Sequence, residues 1–292
     1  MSQKSEKTAQ VLSHPPRFLV SIDLEDIRLQ ADSPADGTAR AQDNMRRFLR
    51  FFDDHKVKST VFVVGELAEK LGSFIKEIRA AGHEIGCHTH DHAHVARLSP
   101  DVFRANILKN LESLNALGIE DVRGFRAPDY SLTHSSRWAY DILAELGFAY
   151  SSSVMPARNP VFGWKEFPPY PVRFDNGLWE LPFSVTSLAG LKIPFCGGVY
   201  WRFFPRRILG LLCRRHAGRG FPLTGYFHPY DIDSGEKKYR VSGNPVFNWL
   251  VFYNRYSTFR KMAWIFERFR TERYIDYVHR LESASVEPAP QI

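Results

Sequence analysis

Four histidines lie in the short segment Cys87–His94, which directly follows a predicted strand. His88 and His92 are four positions apart, and on a helical turn that spacing would direct both imidazoles at one point. Neutral imidazole is a preferred ligand of zinc, and a catalytic site uses few protein ligands because one position must stay open. We therefore predict that His88 and His92 bind a divalent metal, and that His90 and His94 lie around this site or at the surface.

Three acidic residues, Asp23, Glu25 and Asp26, follow the first predicted strand. Burying one carboxylate is costly, and burying three requires a cation or an arginine. A bound divalent cation would neutralise one acid and leave another as a general base for metal-assisted hydrolysis. Asp23 and Glu25 point to the same side if the strand continues. A surface cluster at a helix N-terminus is the alternative interpretation.

Two further residues with suitable chemistry follow predicted strands. Arg126 precedes Ala127-Pro128, where the proline fixes the turn, and an arginine at this point can bind a carboxylate through two hydrogen bonds. His228 ends the run that begins at Thr224, and an imidazole there is suited to protonating a leaving amine. Each signal alone is weak, but their shared position at strand ends strengthens the set.

Alternating apolar runs and amphipathic segments predict the elements that position these residues. Buried strands are predicted over residues 17–23, 59–64 and 83–87, and helices over 44–55, 66–81, 100–117 and 135–146, with Ser99 as an N-cap. This alternation predicts an α/β fold in which crossover helices connect a parallel sheet that is closed, or nearly closed, into a barrel. Active sites of such barrels lie beyond the carboxyl ends of the strands.

The segment 157–194 is rich in proline, glycine and aromatic residues and lacks a helical period. We expect it to form long loops and short strands along one wall of a cleft. Among the aromatic residues of the chain, Trp164, Trp179, Tyr200 and Trp201 could stack on sugar rings, although core packing is the more frequent role. Trp201 is kept as a candidate substrate contact.

The bulk composition predicts one domain over residues 17–280, flanked by flexible segments at 1–16 and 281–292. The 292 residues are 44% hydrophobic, which suffices for one large core. No apolar run is long enough to cross a membrane, the N-terminus lacks the apolar core of a signal peptide, and three widely spaced cysteines argue against a disulfide framework. We therefore expect a cytoplasmic protein.

The formal net charge of +7 comes partly from arginines that surround the apolar run Ile208–Cys213. Such a basic amphipathic segment suits anionic lipid or a lipid-linked pyrophosphate, so peripheral contact with the inner membrane or with a lipid-linked saccharide is one expectation. A solvated helix face with extended arginines is the other. No nucleic-acid partner is expected, because no recognised binding module accompanies the charge.

Taken together, the motifs resemble those of the NodB-type polysaccharide deacetylases, carbohydrate esterase family 4, and especially the subgroup encoded with bacterial exopolysaccharide clusters. The similarity extends over residues 18–277. It is carried by the Asp-x-Glu-Asp start, the His-Thr-x-x-His motif, Arg126-Ala127-Pro128, Glu180-Leu181-Pro182, Gly197–Arg202 and Tyr226–Ile232. The resemblance implies an irregular (β/α) barrel of about seven parallel strands that acts as a metal-dependent N-deacetylase on a sugar of a bacterial polysaccharide or its precursor.

The family pattern also implies roles for individual residues. Asp23 resembles the catalytic base, His228 the general acid, and Arg126 the arginine that orients the base. His88 and His92 resemble metal ligands, most simply for Zn²⁺, and either Glu25 or Asp26 completes the set. Tyr130 resembles a residue of the acyl pocket, and its backbone N–H or that of a neighbour is expected to stabilise the oxyanion.

One position departs from the family pattern. Ser151 in Tyr150-Ser151-Ser152-Ser153 stands where relatives more often have aspartate, and a serine cannot supply the missing negative charge. Two other functions therefore stay open at this point. One is a deformylase or another amidohydrolase acting on a lipid-linked or small amide substrate, and the other is a catalytically silent carbohydrate-binding protein.

Overall fold

A curled, mostly parallel sheet forms the core of the molecule. The computed structural model describes residues 16–26, 37–159, 161–188 and 190–286. Its strands are β1 (Arg17–Leu24), β2 (Thr60–Val63), β3 (Glu84–Cys87), β4 (Gly124–Phe125), β5 (Tyr150–Ser151), β6 (Val172–Arg173), β7 (Trp179–Glu180), β8 (Val185–Leu188), β9 (Leu191–Pro194), β10 (Leu223–Phe227) and β11 (Arg270–Glu272).

The strand order of the main sheet is β10-β1-β2-β3-β4-β5-β7-β6, and β11 pairs with β1. Neighbours from β10 to β7 are parallel, as are β1 and β11, whereas β6 runs antiparallel to β7. Strands β8 and β9 form a separate antiparallel hairpin. The predicted set of about seven parallel strands is therefore confirmed. In the described part of the chain β10 and β6 do not pair, so the sheet is an open half-barrel.

Helices connect the strands and cover the sheet. They are α1 (Thr38–Asp54), α2 (Gly65–Lys70), α3 (Gly72–Ala80), α4 (Pro100–Asn115), α5 (Ala139–Glu145), α6 (Gly198–Phe203), α7 (Arg206–Ala217), α8 (Pro245–Phe252), α9 (Thr258–Phe266) and α10 (Tyr274–Val286). Within the described ranges, no helix combines the length and the apolar composition needed to cross a membrane.

The strand register places the candidate site along one edge of the sheet. Every residue of β1 is buried, as expected for a parallel strand covered on both faces. Parallel pairing aligns the carboxyl ends of β10, β1, β2, β3 and β4. The residues that follow these ends therefore meet at one edge, and they include Glu25 after β1, His88 after β3, Arg126 after β4 and His228 after β10.

The predicted helix over 66–81 is wrong in one respect, because the structure divides it into α2 and α3. Leu71, between the two helices, leaves helical geometry with φ −113° and ψ 22°. A Cβ on the next residue, Gly72, would lie 2.8 Å from Leu117 Cδ2. The break thus lets the chain pass close to the segment after α4. A continuous apolar period does not reveal this contact, which depends on tertiary packing.

The buried imidazole of His83, just before β3, is expected to make folding depend on pH. Its Nδ1 accepts a hydrogen bond from the Ser59 amide at 3.1 Å. Burial, aided by the charge of Lys58, lowers the pKa of His83 from 6.5 to about 4. Between these values the unfolded chain binds the proton more readily, so the free energy of unfolding should fall on acidification, by up to about 3 kcal/mol.

A comparison of thermal unfolding at several pH values between 7 and 4 tests this expectation. His83→Gln keeps a side-chain acceptor but does not titrate, so its Tm should decline less than that of the unmodified chain. An equal decline in both proteins would show that His83 is not the group responsible.

Candidate active site

Three candidate metal ligands converge beyond β1 and β3. One ligand atom from each of Glu25, His88 and His92 lies within 4.8 Å of the others. His88 Nε2 is 3.6 Å from Glu25 Oε2, and His92 Nε2 contacts the same oxygen. Two imidazole nitrogens and one carboxylate oxygen form a donor set that suits a catalytic zinc ion or a similar divalent cation, with positions left for water and substrate.

Hydrogen bonding and charge prepare this set for a cation. His88 Nδ1 lies 2.9 Å from the carbonyl oxygen of Arg126, which can only accept, so Nδ1 carries the proton and Nε2 keeps its lone pair for a ligand. Burial alone would raise the pKa of Glu25, but His92 and His228 outweigh this effect and hold it well below its usual range. The residues present therefore fit a bound divalent cation.

The two histidines meet through a strained loop rather than on the helical turn that their spacing suggested. Residues 88–94 contain no helix, and Thr89 and His92 have positive φ angles of 60° and 58°. Such conformations cost roughly 1–3 kcal/mol per residue. The Asn110 amide donates to the carbonyl oxygens of both Thr89 and Val63. This anchor holds the loop so that the His88 and His92 rings are 5.1 Å apart.

The structure separates Glu25 from Asp26. Glu25 belongs to the cluster with His88 and His92, and among the described residues this is the one such cluster found. Asp26 instead accepts a hydrogen bond from the Gly37 amide at 2.7 Å, at the start of α1. Glu25 thus points to the two histidines, and Asp26 binds the backbone at the start of α1. Asp26 as a metal ligand is not supported by this geometry.

Asp23 lies inside the sheet beside a fully buried arginine. Arg126 Nη1 donates to Asp23 Oδ1 at 2.9 Å and to the Ser21 hydroxyl at 2.6 Å. An ion pair removed from water orients its carboxylate strongly. Arg126 therefore fixes the orientation of the Asp23 carboxylate. This contact is the one expected if Asp23 is the base and Arg126 orients it.

The remaining donors of Arg126 bond to Ser152 and Tyr274, for which no role was predicted from the sequence. Nε and Nη2 donate to the carbonyl and hydroxyl oxygens of Ser152, and Nη2 also donates to Tyr274, each at 3.0 Å. The backbone around Ser152 is itself held by Glu180, whose carboxylate accepts from the amides of Ser153 and Val154 at 2.8 and 3.0 Å. Glu180 therefore holds the Ser152–Val154 segment in place, and Ser152 in turn orients Arg126.

His228 lies on the other side of Glu25 and has an acidic partner of its own. Its Nδ1 is 2.9 Å from Asp231 Oδ2, and its Nε2 is 3.6 Å from Glu25 Oε1. Arg202 Nη2 pairs with the other oxygen of Asp231 at 3.0 Å. Burial lowers the pKa of His228, but Glu25 and Asp231 outweigh it and raise the value to about 9. Asp231 thus orients the imidazole, and both carboxylates favour its protonated form.

The carboxylate beside His228 comes from Asp231, and Ser151 lies elsewhere. A 3₁₀ turn over Pro229–Ile232 brings Asp231 back to the His228 side chain and backbone amide. Ser151 instead donates to the Ser153 hydroxyl at 2.8 Å and lies opposite Glu180 in the sheet. An aspartate at position 151 would bring a second buried carboxylate next to Glu180. His228 therefore has a carboxylate partner without an acid at position 151.

Tyr130 lies beside this arrangement, but its backbone amide is engaged. The ring is buried, 5.2 Å from Arg126 Cζ and 5.1 Å from the Tyr226 ring, and its hydroxyl forms no hydrogen bond within the described residues. The Tyr130 N–H donates to the carbonyl of Ala127 at 3.1 Å. The expectation that this N–H stabilises an oxyanion is therefore not supported, whereas the side chain remains available to line a pocket.

Trp201 is not at the site, so its predicted substrate contact is wrong. Its side chain is fully buried, and its ring packs against Phe18 at 5.9 Å and Phe227 at 5.1 Å. A core position is the usual place for such a large apolar ring. Of the other histidines of the motif, His90 is buried next to Gly65, and His94 pairs with Asp129 at 2.8 Å. Neither belongs to the ligand cluster.

Comparisons with known families divide the chain near residue 151. Residues 32–151 match the family model described as polysaccharide deacetylase, and residues 152–279 match one described as a domain of unknown function, DUF3473. His88, His92 and Arg126 lie in the first match and His228 in the second. Asp23 and Glu25 precede both.

Two curated bacterial relatives are similar to part of the chain. A Bacillus cereus peptidoglycan-N-acetylglucosamine deacetylase is 38% identical over 86 residues, which are 29% of this chain and 31% of the relative. A Helicobacter pylori peptidoglycan deacetylase is 26% identical over 171 residues, which are 58% of this chain and 54% of the relative. The matches thus span less than two thirds of either relative's length.

A solved structure from Mycobacterium smegmatis, described as that of a polysaccharide deacetylase, superposes over 99% of this chain and 96% of its own length. The TM-score is 0.63 and the identity 18%. At that identity the likeness concerns the fold, and it agrees with the irregular (β/α) barrel predicted from the sequence.

Proposed function

We propose that this chain, whose residues 32–151 match the polysaccharide deacetylase family, is a NodB-type deacetylase, a metal-dependent hydrolase that removes the N-acetyl group from a sugar of a bacterial polysaccharide or its precursor. One observation carries this proposal: the cluster of Glu25, His88 and His92 shares its edge of the sheet with an arginine-bound aspartate and an aspartate-bound histidine. A metal site with a base and an acid nearby is what amide hydrolysis requires.

A divalent cation held by Glu25, His88 and His92, most simply Zn²⁺, would polarise the amide carbonyl and favour ionisation of the attacking water. Asp23, fixed by Arg126, accepts the proton that this water loses. His228, fixed by Asp231, donates a proton to the nitrogen as the carbon–nitrogen bond breaks. The products are acetate and a free amino sugar, so every atom of amide and water is accounted for.

The proposed role of His228 as general acid can be tested by changing its partner, Asp231. A bound cation offsets the negative charge of Glu25, which leaves Asp231 as the main support of protonated His228. Asp231→Asn should therefore lower kcat by about 10–100-fold, by analogy with residues that orient metal-bound histidines. It should also move the alkaline limit of the pH–rate profile to lower pH, because His228 would lose its proton more easily.

Asp233→Asn is the matched control for this experiment. Asp233 also accepts hydrogen bonds from an arginine, Arg40, and from Asn44, but none of its hydrogen bonds among the described residues involves His228. A loss of kcat in Asp231→Asn without a shift of the alkaline limit, or an equal shift in both variants, would contradict the role assigned to Asp231.

The proposed reaction is tested by measuring acetate released from N-acetylglucosamine oligomers. We expect release by the metal-loaded protein, loss after treatment with a chelator, and recovery when Zn²⁺ or another divalent ion is added back. Formate release from an N-formyl amino sugar without acetate release would favour the deformylase instead. Binding of the oligomer without turnover in any metal-loaded form would favour a silent binding protein.

A further inference from the structure

Helices α6 and α8 and the turn before α9 present a group of exposed apolar side chains that the proposed reaction does not use. We call this group the α6–α8 face, and it consists of Phe203, Val246, Phe247, Trp249 and Tyr256. Their exposed fractions run from 41% for Phe247 to 73% for Tyr256. Single exposed apolar residues are ordinary, but several exposed Phe, Trp and Tyr side chains on neighbouring elements indicate a binding surface.

Part of the face borders a groove. Tyr253 connects the two helices, with its ring 4.5 Å from Trp249 and 6.5 Å from Phe203. A groove of about 490 Å³ lies beside α6 and the turn before α9, and its lining includes Phe203, Tyr253 and Tyr256. Arg206 and Arg260 also line it. The surface therefore combines aromatic rings with guanidinium groups.

Helix α8 is built to hold its apolar side chains outward. Asn244 caps its N-terminus by accepting from the amides of Val246 and Phe247, and Val251 near its end is buried in the protein. The amide side chain of Asn248 on this helix forms hydrogen bonds with the preceding loop. It accepts from the amides of Val241 and Ser242 and donates to the Ser242 carbonyl. What α8 shows to the surroundings is apolar.

The exposed charge of the stretch that carries this face has one sign. Between residues 203 and 261 the acids are Asp231, Asp233 and Glu236, and all three side chains are buried in pairs with arginines. The basic residues of the same stretch include several exposed ones. Arg206, Arg207 and Arg260 lie next to the groove or at the start of α7, and Lys237, Lys238 and Arg240 lie shortly before α8.

We propose that the α6–α8 face binds the surface of an anionic lipid bilayer. Apolar and aromatic side chains enter the boundary between headgroups and acyl chains, while the flanking cations are attracted to anionic lipids. A second copy of the chain fits less well, because a two-fold contact would place these cations against each other. This inference goes beyond the proposed function, since it requires neither Asp23 nor a bound metal.

Sedimentation of the full-length protein with lipid vesicles tests the proposal. We expect binding to vesicles of phosphatidylcholine and phosphatidylglycerol, little binding to pure phosphatidylcholine, and release as NaCl approaches about 0.5 M, where charges are strongly screened. The double variant Phe247→Ser/Trp249→Ser should lower the partition coefficient at least tenfold. A second variant, Arg206→Glu/Arg260→Glu, should do the same through charge.

Val102→Ser/Leu108→Ser is the matched control, because these two side chains of α4 are also about half exposed, at 52% and 47%, and lie outside the α6–α8 face. It should bind vesicles like the unmodified protein, and the Tm of each variant reports whether it is folded. No binding to anionic vesicles would overturn the proposal. Binding that the Arg206/Arg260 variant loses and the folded Phe247/Trp249 variant keeps would also overturn it, since it would reveal attraction to any polyanion.

Discussion

Asp23→Asn is expected to lower kcat/KM for acetate release by about 10²–10⁴-fold, the usual contribution of a general base. Asparagine has nearly the same shape and can still accept from Arg126, but it cannot take a proton from water. Because Asp23 is outside the Glu25, His88 and His92 cluster, the variant should bind one equivalent of metal like the unmodified protein. The measurement is a steady-state acetate assay on protein whose metal content has been determined.

Ser21→Ala is a suitable control for that experiment. It removes a hydroxyl that Arg126 also contacts but leaves the ion pair with Asp23 intact, so the rate should fall far less. If Asp23→Asn keeps a rate within a few-fold of the unmodified protein while carrying its metal, Asp23 is not the base.

Glu25→Ala is expected to lower metal affinity by more than the 10–100-fold that loss of a residue supporting a metal ligand typically causes. The variant removes the one carboxylate of the cluster and leaves two imidazoles, which hold a divalent cation weakly. At limiting metal concentration the variant should therefore also lose its activity. Competition with a chromogenic chelator gives the dissociation constant.

Asp26→Ala, one residue further along, provides the comparison for Glu25→Ala. Its carboxylate binds the Gly37 amide, so the variant should lose some thermal stability and keep its metal affinity. Equal losses of metal affinity in both variants would contradict the assignment of Glu25 as the carboxylate ligand. A larger loss in Asp26→Ala would reverse the assignment.

Much of the site follows from the sequence because strand ends can be recognised. Apolar, β-branched runs end at Asp23, Cys87 and Phe227, and parallel pairing necessarily brings the following residues to one edge. Residue type then indicates the chemistry of His88 and His228. Neither conclusion requires knowledge of how loops bend.

Loop conformation and non-local contacts are what the sequence did not reveal. The spacing of His88 and His92 suggested a helical turn, whereas positive φ at Thr89 and His92 brings the rings together. The 3₁₀ turn over Pro229–Ile232 returns Asp231 to His228, and the motif that contains it gave Asp231 no role. Trp201 is a candidate substrate contact by its residue type, yet its position on α6 directs it into the core.

Helix ends that depend on neighbouring residues can be predicted from the sequence, whereas those that depend on tertiary contacts cannot. Ser99 was predicted as the N-cap of α4, and its hydroxyl accepts from the Val102 amide in the structure, because capping depends on neighbouring residues alone. The break between α2 and α3 depends on Leu117 approaching Gly72, more than forty residues away. Local chemistry was therefore predictable and distant packing was not.

Anomalous diffraction from crystals grown with Zn²⁺ tests the central claim most directly. We predict one strong peak at the edge of the sheet, at about 2.0–2.2 Å from Nε2 of His88, Nε2 of His92 and a carboxylate oxygen of Glu25, with Asp23 nearby but not bound to the ion. A fully loaded protein whose zinc lies elsewhere, or whose zinc is held through Asp26 instead of Glu25, would contradict it.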